Sequence, residues 1–387
     1  LPISRKYIVR ETYLDYCVNI NRESKVGVMG RLKIWIDKNK GEVYFNGSSI
    51  FIWRRDFSGR IQREYERIIG PATRVIFSEA TRKSMRPIFF RMADRYKDVR
   101  HKSVSRLAMK MLEELPRYGY GIPEVIFIDE KRGAAKVRIH NCFNKLGYEN
   151  VSRPVCYRME GILAGLFEVA FKRKAVCRET KCAAMDHSCC EFEISTYNIP
   201  VKAPRGYPEM PKGLVPVELE FDPERGEIIQ SRVNSIFSPR GDLRSLEQES
   251  EGIIGPVTKE IWYMIGRINT MESLRRNIPK MIAMRILARF FKKKYMSKLA
   301  EIGLNRGYGL IEFLKIDMKN KRVESRVYNS VNAIGIKNSE KPVCYMIAGT
   351  MAGAADIIFG RSMRCDEVKC VAMGDPYCEF HVHPESE

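Results

Sequence analysis

Cys177-Arg178-Glu179-Thr180-Lys181-Cys182-Ala183-Ala184-Met185-Asp186-His187-Ser188-Cys189-Cys190-Glu191-Phe192 returns near the end of the chain as Cys365-Asp366-Glu367-Val368-Lys369-Cys370-Val371-Ala372-Met373-Gly374-Asp375-Pro376-Tyr377-Cys378-Glu379-Phe380. The Glu, the Cys after it and the last Cys keep one spacing in both stretches, and a further Cys stands equally far upstream of each. Two sets result: Cys156, Glu179, Cys182 and Cys190, then Cys344, Glu367, Cys370 and Cys378. Thiolate and carboxylate are both zinc ligands, and four protein ligands close a tetrahedral site. Plain buried thiols act as small hydrophobes and need no fixed spacing, so each set is expected to hold one structural zinc ion. A closed set keeps no position for water, which argues against a catalytic ion. An iron–sulfur cluster would need a fourth thiol. Cys177 and Cys365 are the candidates, each expected on the same strand face as the Glu that follows it.

Working outward, the duplication covers most of the chain. Asp37-Lys38-Asn39-Lys40-Gly41-Glu42-Val43 matches Asp222-Pro223-Glu224-Arg225-Gly226-Glu227-Ile228 at an offset of 185. Ser49-Ile50-Phe51 matches Ser235-Ile236-Phe237, and Ile68-Ile69-Gly70-Pro71 matches Ile253-Ile254-Gly255-Pro256. Gly119-Tyr120-Gly121 then matches Gly307-Tyr308-Gly309 at an offset of 188, which holds to the end. A repeat of that length means two domains, which suits a chain of 387 residues. The proline-rich stretch 198–213 reads as a stiff linker. The expected division is 1–197 for the first domain with an N-terminal extension, and 214–387 for the second.

Local patterns predict an α+β domain. Strands are expected over 31–35, 43–45, 124–128, 135–141, 175–179 and 190–194, and helices over 60–80, 104–115 and 155–171.

Composition excludes several classes. A 44% hydrophobic content is that of a globular chain, and no apolar run reaches the length of a membrane span. The N-terminal Tyr7-Ile8-Val9 is too short for a secretory segment, so a cytoplasmic protein without membrane partners is expected. Eleven cysteines, an odd number, then point to metal rather than disulfides. Net charge is +20, of which +15 falls in residues 1–200 and +5 in the remainder.

The two Cys-rich endings resemble the C-terminal signature of the 4-vinyl-reductase-type domain. The second is nearer to it, keeping the Gly374-Asp375 pair where the first has Asp186-His187. Residues 41–69 are also similar to the sensory module of phenol-responsive sigma-54 activators. The resemblance implies two tandem zinc-containing copies of an α+β domain whose fold recurs in NO-signalling and Golgi-transport ligand-binding proteins, vesicle-tethering (TRAPP) subunits among them. It implies that the Cys–Glu–Cys–Cys sets bind the ion. The family's name comes from a bacteriochlorophyll-synthesis protein, which leaves a tetrapyrrole-handling role as one alternative.

The helix after each first Cys repeats a Gly-x-x-x-Gly pair, Gly161/Gly165 and Gly349/Gly353. Gly inside a helix costs about 1 kcal/mol against Ala. Close packing against a neighbouring helix is the plainer explanation. Room for a small hydrophobic or aromatic ligand is the sharper one, with Met159, Leu163, Leu166 and Phe167, and Met346, Met351 and Ile358, as candidate lining. A basic run with interleaved aromatics, Arg82, Lys83, Arg86, Arg91, Arg95, Arg100, Lys102 and Arg106, recurs in the second copy between Arg275 and Lys298. It is either a solvated face or a nucleic-acid or acidic-protein contact. No His pairs with a nucleophile, and no phosphate loop or dinucleotide fingerprint occurs. The expectation is a non-enzymatic regulatory or small-molecule-sensing protein whose copies form an internal pseudo-dimer. The alternative is a nucleic-acid-binding or assembly scaffold.

Overall fold

The computed structural model describes residues 29–100, 103–148, 151–204, 206–275 and 292–385. The first copy runs β1 (Gly30–Asp37), β2 (Glu42–Phe45), β3 (Ser48–Arg54), α1 (Phe57–Ile69), α2 (Ala72–Arg95), α3 (Val104–Leu112), β4 (Ile122–Asp129), β5 (Ala134–His140), α4 (Tyr157–Phe171), β6 (Arg173–Lys181) and β7 (Cys190–Pro200). The second repeats it as β8 (Val215–Asp222), β9 (Glu227–Gln230), β10 (Val233–Pro239), α5 (Asp242–Ile254), α6 (Val257–Arg275), α7 (Lys292–Asn305), β11 (Leu310–Asp317), β12 (Arg322–Tyr328), α8 (Tyr345–Phe359), β13 (Met363–Lys369) and β14 (Cys378–Pro384). The mixed α and β content expected from the sequence is present in both. The N-terminal extension expected before the first strand lies outside the described residues.

Three details depart from the sequence expectation. The helix expected over 60–80 is two helices, because Gly70 adopts φ +59 and Pro71 follows, so the chain turns there before α2 begins. The same break recurs at Gly255-Pro256. Strand β7 runs on to Pro200, into the stretch expected to be linker. The strands β3 and β10, and the 3₁₀ turn at Leu115–Tyr118 ending the 104–115 helix early, were not anticipated.

The compact units are not the two copies taken end to end. Among the described residues, one unit gathers those up to Lys33, Ile52–Glu209 and Glu218–Pro239; the other gathers Ile34–Phe51, Met210–Val217 and those from Arg240 onward. Each unit is therefore completed by strands from the other copy's sequence. In the first unit, buried Arg55 pairs with buried Glu227, and its guanidinium also donates to the Asn141 carbonyl. Asn141 in turn donates to Glu227 Oε1 at 2.8 Å and to the Arg225 carbonyl at 2.8 Å. The second unit repeats this at the offset positions: Arg240 pairs with Glu42 at 2.6 Å and donates to the Asn329 carbonyl, while Asn329 donates to Glu42 at 2.6 Å and to the Lys40 carbonyl at 3.2 Å. Burial lowers the pKa of both guanidinium groups, and the facing carboxylates oppose that shift. Glycine is required at these junctions. A Cβ on Gly41 would lie 2.3 Å from the Gly309 carbonyl carbon, and one on Gly226 3.0 Å from that of Gly121.

In the first unit α4 is buried along nearly its whole length, packed on α2 and on an antiparallel sheet ordered β4-β5-β7-β6. In the second, α8 packs on α6 and on a sheet ordered β11-β12-β14-β13. The glycine pairs lie where the helices meet: a Cβ on Gly161 would come within 2.3 Å of the Ser78 carbonyl oxygen, and one on Gly349 within 1.9 Å of that of Tyr263. Gly165 and Gly353 face the Arg82 and Arg267 carbonyl oxygens at 3.2 and 2.4 Å. Close backbone approach thus accounts for all four. Along β5, Ala135, Val137 and Ile139 face the helix while Lys136, Arg138 and His140 face outward.

The reciprocal ion pairs give a direct test. Glu227→Ala leaves Arg55 buried without its carboxylate, which costs about 3–5 kcal/mol. Urea denaturation of the variant is expected to show a clearly lowered midpoint, and Glu42→Ala, acting on the more exposed pair, a smaller drop.

Candidate metal centre

Each four-residue set comes together. Cys156 immediately precedes α4, Glu179 lies near the end of β6, Cys182 opens the following turn, and Cys190 begins β7. Register places Cys190 opposite Ile139 of β5, and Cys378 opposite Val327 of β12. One ligand atom from each residue of a set lies within 4.8 Å of the other three, in both copies. Cys156 Sγ is 3.8 Å from Cys182 Sγ and 3.6 Å from Cys190 Sγ. Cys378 Sγ is 3.5 Å from Cys344 Sγ and 3.9 Å from Cys370 Sγ. Disulfide sulfurs would be about 2.05 Å apart. Thiolates bound about 2.3 Å from one tetrahedral ion are instead about 3.8 Å from each other. The donor sets therefore fit a four-coordinate metal ion.

The carboxylates fit as well. Cys156 N donates to Glu179 Oε2 at 2.8 Å and Cys344 N to Glu367 Oε2 at 2.7 Å. In both residues the other oxygen, Oε1, is buried with no protein partner, a state that costs free energy unless a cation takes it up. Burial pushes the Glu179 carboxyl up to about 9, with Cys182 adding to the rise. Burial and then Cys370 push Glu367 up to about 8. The Cys156 and Cys344 thiols are raised well above their ordinary value, again chiefly by burial. A metal ion favours the deprotonated form of every one of these groups, so loading releases protons and acid promotes loss.

Several neighbours steady the ligands. Ala183 N donates to Cys190 Sγ at 3.3 Å, and Val371 N to Cys378 Sγ at 3.5 Å. The first turn differs in sequence from the Gly374-Asp375 pair of the second, yet Asp186 adopts the left-handed conformation at φ +64 that Gly374 takes at φ +105. Asp tolerates that region better than most residues. Buried Glu160 accepts from Glu179 N at 2.7 Å and is clamped by Arg74. The sequence reading missed Cys142, buried with its Sγ 3.7 Å from that of Cys156. Its counterpart Ser330 sits 3.1 Å from Cys344 Sγ. The offset of 188 pairs the two, and that was the available signal. Cys177 and Cys365 are buried on β6 and β13 but stand outside the clusters.

The other candidates are placed as follows. Met159, Leu163, Leu166, Phe167, Met346 and Met351 are buried and Ile358 half-buried. Arg82 is not a surface cation: it is buried, and it pairs with Glu79 and with Glu168 of α4. Arg267 repeats this with Asp356 of α8 at 2.7 Å. Arg86 reaches Glu168 at 3.5 Å, and Arg91 lies 4.8 Å over the Tyr207 ring. Lys83, Arg95 and Arg106 are exposed. Lys102, the side chain of Arg100 and almost all of the second basic run lie outside the described residues.

The chain is similar to several known proteins. The vinyl-4-reductase domain family matches it twice, over residues 135–196 and 323–384. An uncharacterised protein of Methanocaldococcus jannaschii is 36% identical over 59 residues, 15% of this chain and 37% of its own length. A second is 46% identical over 43 residues, 11% of this chain and 24% of its own length. The chain thus spans well under half of these two relatives. A third protein of that organism is 26% identical over 170 residues, 40% of this chain and 74% of its own length. Among solved structures, the phenol-responsive sensory domain of the transcription activator PoxR with phenol aligns at a TM-score of 0.36 and 16% identity, covering 48% of this chain and 90% of that domain. A vinyl-4-reductase family protein of Methanocaldococcus jannaschii gives 0.23 and 24%, over 31% of this chain and 66% of its own. A trafficking protein particle complex subunit 3 from Naegleria fowleri, covalently bound to palmitic acid, gives 0.27 and 10%, over 38% and 98%.

Metal analysis of the purified chain is expected to find two ions. Cys182→Ser and Cys370→Ser should each bind one, and the double variant none. Retention of both ions by either single variant would refute the assignment.

Proposed function

We propose that this chain, matched twice by the vinyl-4-reductase domain family, is a non-enzymatic regulatory protein that senses a small molecule, with one structural zinc ion in each copy. The observation that carries this reading is closure. Each set supplies four protein donors, all of them buried or nearly so, and a tetrahedral ion held by four such donors offers no position to a substrate. Borderline-soft zinc suits three thiolates and a carboxylate. When bound it would tie the start of a helix to two strands and the turn between them. The chain's own residues do the rest: Glu160 and Arg74 hold the Glu179 segment, and the backbone N–H groups of Ala183 and Val371 steady the thiolates. Thiols kept as ligands call for a reducing compartment, which supports a cytoplasmic setting. Joining two like domains in one chain raises their effective concentration for each other, which supports an internal pseudo-dimer. No described helix is long and apolar enough to cross a membrane.

The zinc-loaded chain should be screened by thermal shift against small aromatic and aliphatic compounds, with each hit recovered and weighed by mass spectrometry. A compound that raises the melting temperature and returns unchanged is the expected outcome. A compound returned as product contradicts the non-enzymatic reading, and a chain that no compound stabilises contradicts sensing.

A second reading, nucleic-acid binding, is favoured by the net charge of +20 and by exposed Lys83, Arg95 and Arg106. Such binding would be backbone-driven and would fall steeply with salt. Fluorescence anisotropy with labelled single- and double-stranded oligonucleotides decides it: a steep salt slope supports this reading, and no binding at low salt removes it.

A further inference from the structure

The outer face of the first unit's sheet carries a pocket of about 300 Å³ beside, but separate from, the metal cluster. It is lined by Arg138, His140, Lys181, His187, Ser188 and Cys189. The base is a frame of paired side chains. Arg138 Nε donates to Glu191 at 2.9 Å, Lys181 Nζ lies 3.7 Å from the same carboxylate, and His140 Nε2 is 2.9 Å from Glu124.

The second unit builds the same frame from the offset residues. Arg326 Nε donates to Glu379 at 3.1 Å, Lys369 Nζ reaches Glu379 at 3.5 Å, and Tyr328 donates to Glu312 at 3.1 Å. There, however, the space over the frame holds a side chain. Tyr377 stands where the first copy has Cys189. Its ring lies 4.2 Å from Arg326 Cζ and 5.6 Å, nearly edge-on, from the Tyr328 ring. Its hydroxyl accepts from Lys369 Nζ at 3.5 Å. A guanidinium under an aromatic face and an ammonium at its oxygen are mutually favourable contacts. The second copy therefore displays, in its own chain, the kind of group the frame accepts. The first copy keeps the frame and replaces the ring with a short thiol.

We propose that the pocket at Arg138, Lys181 and Cys189 binds a small molecule made of a single aromatic ring bearing one oxygen acceptor. Its ring stacks on the Arg138 guanidinium, and its oxygen faces the Lys181 amine, as Tyr377 does on Arg326 and Lys369. The volume stands at the lower end of ligand pockets, which suits one ring rather than a fused system. Two histidines, His140 and His187, replace Tyr328 and Asp375 at the rim and add donors for the oxygen. The proposal deepens the sensing reading and rests on it for its biological meaning, while its binding site is tested apart from it.

The probe is p-cresol, which is the tyrosine side chain as a free molecule, with 4-methylcyclohexanol as the non-aromatic match. Ligand-observed saturation-transfer NMR is run on the full metal-loaded chain and on two variants whose metal content is confirmed unchanged. Cys189→Tyr supplies the missing ring and is expected to abolish the p-cresol signal. Tyr377→Cys opens the second frame and is expected to strengthen the signal by adding a site. Unchanged p-cresol signal in Cys189→Tyr, or an equal signal from 4-methylcyclohexanol, overturns the assignment while leaving sensing at another place intact. Failure of sensing itself is read separately, from the thermal-shift screen.

Discussion

Three sulfur atoms and a carboxylate oxygen confined within 4.8 Å of one another, out of water, need a shared positive charge to stay ionised. Without one, burial favours the protonated form of Glu179 and Glu367 and leaves an oxygen of each with no protein partner. With one, the same four residues fix the start of α4 or α8 against the two strands that follow it in sequence. Much of the local architecture then follows. The helix is held at the residue just before it, while its glycine face meets the neighbouring helix backbone and the sheet's outer face carries charge. The duplication makes the point twice, because the surroundings have drifted while the sets have not. Ala348 stands where Glu160 steadies the first centre, and Ser330 where Cys142 does.

A second constraint operates away from the Cys–Glu clusters. Arg55 with Glu227 and Arg240 with Glu42 are the same interaction written at offset positions, each with an asparagine completing it. In each compact unit the arginine belongs to one copy and the glutamate to the other. A buried guanidinium of this kind discriminates strongly against a wrong partner, since leaving it unpaired is far costlier than a lost surface pair. The tandem arrangement and the folding of each unit are thereby linked.

Much of this could be read in the sequence, for identifiable reasons. The Cys–Glu–Cys–Cys sets were legible because residue type and spacing repeat together, and two copies gave an internal control. The strands β4 to β7 followed from period-two alternation of the Ala135, Val137, Ile139 kind. The break at Gly70-Pro71 was written in the residues, but helical periodicity on both sides masked it. The exchange of strands was not legible, because a copy that keeps its own strands and one that takes its neighbour's have the same sequence. Arg82 looked like part of a basic face because its buried partner Glu168 lies far away in sequence, although Glu79 stands three residues before it on the same helix. Cys142 was overlooked because its counterpart is a serine, which breaks a search for repeated cysteines. The substitution of Cys189 for Tyr377 was in plain view, and only the frame of Arg138 and Lys181 gives it meaning.

X-ray absorption at the zinc edge of the loaded chain reads out the proposed closed set of three thiolates and one carboxylate around each ion. An average shell of three sulfur atoms at about 2.3 Å and one oxygen at about 2.0–2.2 Å, with no further ligand, is expected. A shell averaging more than three sulfur atoms would put Cys142 in place of Glu179 in the first copy. A shell with two sulfurs and added light atoms would mean an open site that water can enter. Either result would rule out a closed Cys₃Glu set.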